Sequence, residues 1–351
     1  MLRLAIDLSS FLHGKAAGFN EYALCLVQGM AEVPRSELQL TLFVRPGQGP
    51  HFRAVNPSAT IREIPFRGDI GRLLWHHFGP ARIAGNHDAF LFPANFVPLL
   101  VPDRSFLVVH DLNFLVNRRS FGALNMAYRH LNQRPSIRRC RAVISISDAT
   151  AREVEAYAGR ASEVIHNPVR LRALPGVATE HLLLCASSLS HHKNIPAAHR
   201  ACLRLVEEDP RLTVAFIGNW RPEEFPATRL HPRIRLLGFV DDAERARLLA
   251  ACKAVFAPSW YEGFGMPYIE ALASGKALIC SDITVAREVA GDCAYWIAAP
   301  YGEQEILESL RRANRASFAP KRPPEGLLER YAPGFAARRY VQFISSIVGH
   351  A

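Results

Sequence analysis

The sequence predicts an α/β protein of two doubly wound domains, each built on a parallel sheet. Three observations lead there. Short apolar runs alternate with longer amphipathic segments, the pattern of repeated strand–helix–strand units. The pattern breaks off near residue 168 and starts again near residue 180. The chain has 351 residues, 49% hydrophobic and 21% charged, which is long for one core and comfortable for two.

In the first half, Leu2–Ile6 reads as a strand and Asn20–Ala31 as a helix, with apolar residues recurring at helical spacing. Leu38–Val44, Ala89–Phe92 and Phe106–Val109 are strand candidates. Met126–Cys140 is helical and basic, Ala142–Ile146 is a strand, and Ser147 caps a helix running to about Tyr157. Val164-Ile165 is the last strand of this half. In the second half, His181–Ala186, Leu212–Ile217, Ile234–Leu237, Ala254–Pro258 and Ala277–Ser281 read as strands. Ile195–Glu208, Ala243–Ala251 and Tyr268–Ser274 read as helices, with Asp241-Asp242 as the cap of the second. Pro168, Pro175 and Gly176 mark a linker between residues 167 and 179, so domains are expected over 1–168 and 169–334.

The formal charge is +10 and the pI about 9.5, which admits nucleic acid, anionic lipid or phosphorylated ligands as partners. Seven cysteines occur without the close spacing of a zinc or redox motif, which points to buried, reduced thiols in a cytosolic protein. The N-terminus reads as a first strand and not as a signal peptide. The most apolar stretch, residues 89–102, is broken by Pro93 and Pro98 and is too short to span a bilayer. There is no phosphate-loop motif and no Gly-x-Gly-x-x-Gly between a first strand and helix, which argues against an NTPase or a dehydrogenase.

Ligands of doubly wound sheets sit beyond the carboxyl ends of the strands. With two domains, those ends can face each other across one cleft, so the residues that follow strands are the candidates. The segment Ser259–Glu270 places Glu262 and Glu270 around Gly263-Phe264-Gly265, between a strand and a helix. A glycine turn at a helix N-terminus can offer backbone N–H groups to a phosphate, and the carboxylates can accept from sugar hydroxyls. Lys193 follows another strand and can neutralise a diphosphate. Adjacent His191 and His192 point apart in an extended segment and have no acidic partners nearby in sequence, so no metal site is expected. His110-Asp111 ends a strand of the first half, and His110 can bind a hydroxyl or move a proton. Residues 14–20, with Gly18 and Asn20, form a loop whose backbone can approach a phosphate or sugar. From Leu112 to Ser147 there is no acidic residue, while Arg118, Arg119, Arg129, Arg134, Arg138, Arg139 and Arg141 supply positive charge. That stretch suits an anionic lipid surface or a pyrophosphate-linked acceptor, and of the possible partners nucleic acid is the least expected.

The run from Phe256 to Lys276 resembles the signature of the group 1 (family 4) retaining glycosyltransferases of GT-B fold. Ser281-Asp282, Arg287–Asp292, Leu237–Val240, His192-Lys193-Asn194, Val143–Ser147 and His110-Asp111 extend the resemblance over most of the chain, and residues 335–351 resemble the helix that returns to the first domain. The resemblance implies that Glu262 contacts the transferred sugar, and that Gly263, Phe264, Gly265 and Met266 bind its hydroxyls and the diphosphate. It implies that Glu270 holds the ribose, that Lys193 holds the diphosphate, and that Ser188 and His192 bind the diphosphate too. Val240 then lies beside the base and His110 near the sugar.

The expected protein is thus a cytoplasmic, metal-independent hexosyltransferase without a cofactor, with a tilt to mannose from GDP-mannose. Its acceptor is a glycan or lipid-linked molecule of bacterial surface polysaccharide, met at the inner face of the plasma membrane. The competing readings are an epimerase-like enzyme and a silent binding scaffold.

Overall fold

The computed structural model describes residues 1–13, 18–100, 103–117, 122–170, 174–226 and 229–349. The chain divides into two units, one of Met1–Arg170 with Glu329–Ala351 and the other of Leu171–Leu328.

The first unit contains β1 (Leu2–Asp7), α1 (Gly18–Met30), β2 (Leu38–Val44), α2 (Gly49–Val55), β3 (Thr60–Glu63), α3 (Gly68–Ile83) and β4 (Ala89–Phe92). It continues with β5 (Ser105–Val109), α4 (Asn113–Val116), α5 (Ala123–Arg139), β6 (Ala142–Ser145), α6 (Asp148–Ala158) and β7 (Glu163–Val164). The strands form one sheet in the order β3-β2-β1-β4-β5-β6-β7, and every pairing is parallel. β4 and β5 are buried along their whole length, as expected for strands covered on both faces.

The second unit contains β8 (Leu182–Ala186), α7 (Ile195–Glu208), β9 (Thr213–Ile217), β10 (Ile234–Gly238), α8 (Asp242–Ala251) and β11 (Ala254–Ala257). Then follow α9 (Met266–Ala273), β12 (Ala277–Ser281), α10 (Thr284–Ala290), β13 (Ala294–Ile297) and α11 (Glu303–Arg315). Its parallel sheet has the order β10-β9-β8-β11-β12-β13. One face is packed by α7 and α11, whose buried leucines and alanines join Phe216, Phe256 and Ile279 in one core.

The last helix, α12 (Pro333–Val348), packs in the first unit against α1. Their contact holds a buried hydroxyl pair, Tyr22 Oη to Tyr340 Oη at 2.8 Å, which satisfies both groups inside an apolar seam.

Several elements were not read from the sequence. β3 is an edge strand with no buried residue, and α3 carries Gly71, Gly79 and Pro80 within its length. Caps that were readable are formed. Ser147 accepts from the Thr150 N–H and Asp241 from the Glu244 N–H. All seven cysteines are buried free thiols. No described helix is long and apolar enough to cross a membrane.

Candidate functional site

In the second unit the strand order reverses between β8 and β11, and the loops leaving these two strands border one crevice. One loop carries Lys193, the other Glu262. Lys193 ends a single 3-10 turn, His191–Lys193, held against α7 by Asn194 in the left-handed region at φ +58°. The Asn194 side chain fixes the turn by donating to Tyr301 O at 2.7 Å. The two loops are joined directly, because the Trp260 N–H donates to His192 O at 3.0 Å.

Across that junction Lys193 Nζ donates to Glu262 Oε1 at 2.6 Å. The side chains are 20% and 12% exposed, so the pair is shielded yet still open to a ligand. Tyr268 lies beneath it, fully buried, and its hydroxyl has no hydrogen-bond partner among the described residues. Burial, reinforced by the Glu262 carboxylate, holds this phenol far above its ordinary pKa, so it stays neutral.

The turn after Glu262 is shaped by sterics. Gly265 caps α9 at φ +90°, and a Cβ there would stand 2.2 Å from the Tyr268 ring. Pro sits in the first turn, so α9 begins at Met266 and not at Tyr268 as the periodicity predicts. Glu270 consequently lies a full turn into the helix, deeper than a start at Tyr268 would put it. Phe264 is buried at 3% exposure and anchors the turn, while Gly263 and Met266 are half-buried beside it.

Glu270 is held by a residue that sequence reasoning missed. Arg245 Nη2, on α8, donates to both carboxylate oxygens, at 2.6 and 2.7 Å. This contact spans 25 positions and left no local signature. Val240 is half-buried in the loop between β10 and α8, just before the Asp241 cap.

His192 is buried, its ring edge-on to Trp260 and Tyr261. Ser188 Oγ donates to Ser190 Oγ at 3.2 Å. The wall behind Ser188 is tight. Trp220 Nε1 donates to Ser187 O at 3.0 Å, and a Cβ on Gly218 would fall 1.9 Å from that oxygen.

In the first unit, His110 follows β5 and is half-buried. Its Nε2 lies 2.8 Å from Pro93 O, so Nε2 carries the proton and Nδ1 is left as an acceptor. Burial lowers its pKa, which keeps the ring neutral near pH 7. The ring stands edge-on to Tyr22 at 4.6 Å. Gly18 and Asn20 lie in the first turn of α1 and not in the preceding loop. The Asn20 amide donates to Leu12 O at 2.7 Å and accepts from the Leu12 N–H, so it braces the chain leaving β1. Residues 14–17, and Arg118 and Arg119 of the basic stretch, lie outside the described residues.

Residues 172–321 match the family described as glycosyl transferases group 1. The serotype-specific mannosyltransferase WbdA of Escherichia coli is 27% identical over 243 residues, covering 62% of this chain and 29% of its own length. The O-antigen chain mannosyltransferase B of E. coli is 46% identical over 82 residues, covering 22% of this chain and 21% of its own. This chain thus spans about three-tenths of WbdA's length or less. Among solved structures, HepE of Anabaena in complex with UDP and glucose superposes with a TM-score of 0.71 at 18% identity, covering 99% of this chain and 100% of that one. Neighbours of this kind show that the architecture is the GT-B fold.

Proposed function

We propose that this chain, whose residues 172–321 match the group 1 glycosyl transferases, moves a hexose with retention from a nucleoside diphosphate sugar to an acceptor hydroxyl. The observation that carries this reading is the Lys193–Glu262 pair at the switch point of the second sheet, with Glu270 one turn into the adjoining helix. A cation, two carboxylates and a glycine-capped helix start gathered at one crevice support a site for a diphosphate, a sugar and a ribose.

In the proposed reaction the donor diphosphate takes Lys193 away from Glu262. Lys193 then stabilises the negative charge that builds on the leaving diphosphate, so no bound metal is called for. The freed Glu262 faces the positive charge developing at the anomeric carbon. Glu270, oriented by Arg245, accepts from the ribose hydroxyls.

Mannose from a guanosine diphosphate donor is the specific form we favour, since the relatives WbdA and mannosyltransferase B are named for mannose transfer. A lipid-linked acceptor agrees with the surface of the first unit. Ile70, Leu74 and Phe78 stand exposed at four-residue intervals on α3, and Leu124 and Leu131 stand exposed on α5. The two helices are joined by His77 Nε2 and Tyr128 Oη at 3.1 Å. Apolar side chains flanked by the α5 arginines suit an anionic bilayer. The test is a panel of nucleotide sugars, read as saturable binding and slow hydrolysis. Binding of GDP-mannose ahead of UDP-glucose is expected. Binding of no donor would sink the reading.

A further inference from the structure

The basic stretch of the first unit ends in a recess that donor transfer does not use. Arg138, Arg139, Arg141 and Arg160 line a cavity of about 630 Å³, with Asp103 and Gly159 completing much of its wall. It lies where strands begin. Arg141 immediately precedes β6, and its N–H donates to Ser105 O, the first residue of β5, at 2.7 Å. The carboxyl ends, where His110 follows β5, are at the opposite end of the sheet.

The recess is built from fixed parts. Arg160 Nη1 donates to Ile137 O and Arg138 O, both at 2.8 Å, and its Nη2 donates to Arg141 O at 2.7 Å. Arg138 Nε donates to Ala158 O at 3.0 Å. Arg138 and Arg160 are thus oriented by neutral carbonyls at the ends of α5 and α6 and just before β6, not by counter-charges. Arg139 and Arg141 are exposed. Among the described residues none of the four arginines forms an ion pair, and neither does Asp103.

Four guanidinium charges against the one carboxylate of Asp103 leave the hollow net positive, and an anion seated among the arginines turns their repulsion into attraction. Guanidinium forks match the oxygens of phosphate in pairs, and the volume exceeds that of a single phosphate. We propose that this recess binds a diphosphate-class anion at a site separate from the donor crevice. The anion can come from a lipid headgroup or from a soluble phosphate compound, which share this chemistry.

The probe is inorganic pyrophosphate, titrated calorimetrically into the full chain carrying Lys193→Ala, which removes the donor-site cation. One saturable site is expected to remain. Arg139→Ala with Arg141→Ala should weaken it by about tenfold or more, while Arg139→Lys with Arg141→Lys weakens it less. Both arginines are exposed, so an unchanged circular dichroism spectrum is expected, and with Lys193 intact the alanine pair should leave donor hydrolysis without acceptor unaltered. Co-sedimentation with phosphatidic acid vesicles that falls in the alanine pair, and is competed by pyrophosphate, assigns the lipid source. Co-sedimentation unchanged while pyrophosphate binding falls assigns the soluble one. No pyrophosphate binding in the Lys193→Ala chain, or binding that the alanine pair leaves intact, overturns the proposal.

Discussion

Lys193 Nζ stands 2.6 Å from Glu262 Oε1, although 69 positions separate the two residues. Each charge therefore satisfies the other until a ligand intervenes. In the proposed reaction an anionic diphosphate competes for the lysine and, in doing so, frees the carboxylate. Lys193→Ala should lower kcat/KM for the donor by about 10²–10³-fold, as expected for loss of a charge that stabilises a leaving group. Steady-state kinetics check this, and wild-type kcat/KM would contradict the role.

Arg245 and Glu270 make a second pair of the same kind, one nitrogen chelating both carboxylate oxygens. If Arg245 orients Glu270 for a ribose, Arg245→Ala should raise the dissociation constant of the nucleoside diphosphate about tenfold and leave kcat within a factor of a few. Calorimetry on the free nucleotide separates the two effects. A drop in kcat with unchanged affinity would remove Arg245 from nucleotide positioning.

Gly265 combines φ +90° with a Cβ position 2.2 Å from the Tyr268 ring. Gly265→Ala should cost about 1–3 kcal/mol in backbone strain alone, with a further cost for moving the ring. Urea unfolding measures it. The same variant should weaken donor binding, because the turn and the start of α9 shift together.

Burial lowers the His77 imidazole to about 4, with His76, Arg72 and Arg139 adding to the effect. The unfolded chain takes up this proton near pH 6.5, before the folded chain does. The contribution of His77 to stability is therefore fully present above about pH 6.5 and is lost as pH falls towards 4. His77→Gln should flatten the pH dependence of unfolding free energy over that window. Equal slopes in variant and parent would show that His77 does not titrate in this way.

Much of the molecule was legible in the residues. Strands such as Leu38–Val44 and Ala277–Ser281, and the helix Ile195–Glu208, match their predicted bounds, because continuous apolar runs and helical spacing follow directly from burial on both faces of a sheet or on one face of a helix. β3, with no buried residue, and α3, with glycines and a proline inside it, were silent for the complementary reason. The start of α9 was misplaced by two residues because proline at a first turn looks like a breaker in sequence and acts as an initiator in structure.

By itself, the sequence determined the α/β alternation, its restart, and the chemical types after the strands: the glycine turn, the two glutamates and the lysine. These are local properties, carried by spacing and side-chain chemistry. The tertiary structure alone decided that Lys193 meets Glu262, that Arg245 holds Glu270, that Tyr268 lies beneath the turn, and that four arginines converge on one recess. Each of these depends on strand order, which brings β8 beside β11 and β5 beside β6, and on packing between distant segments. Such proximity arises from long-range burial and leaves no periodic trace along the chain.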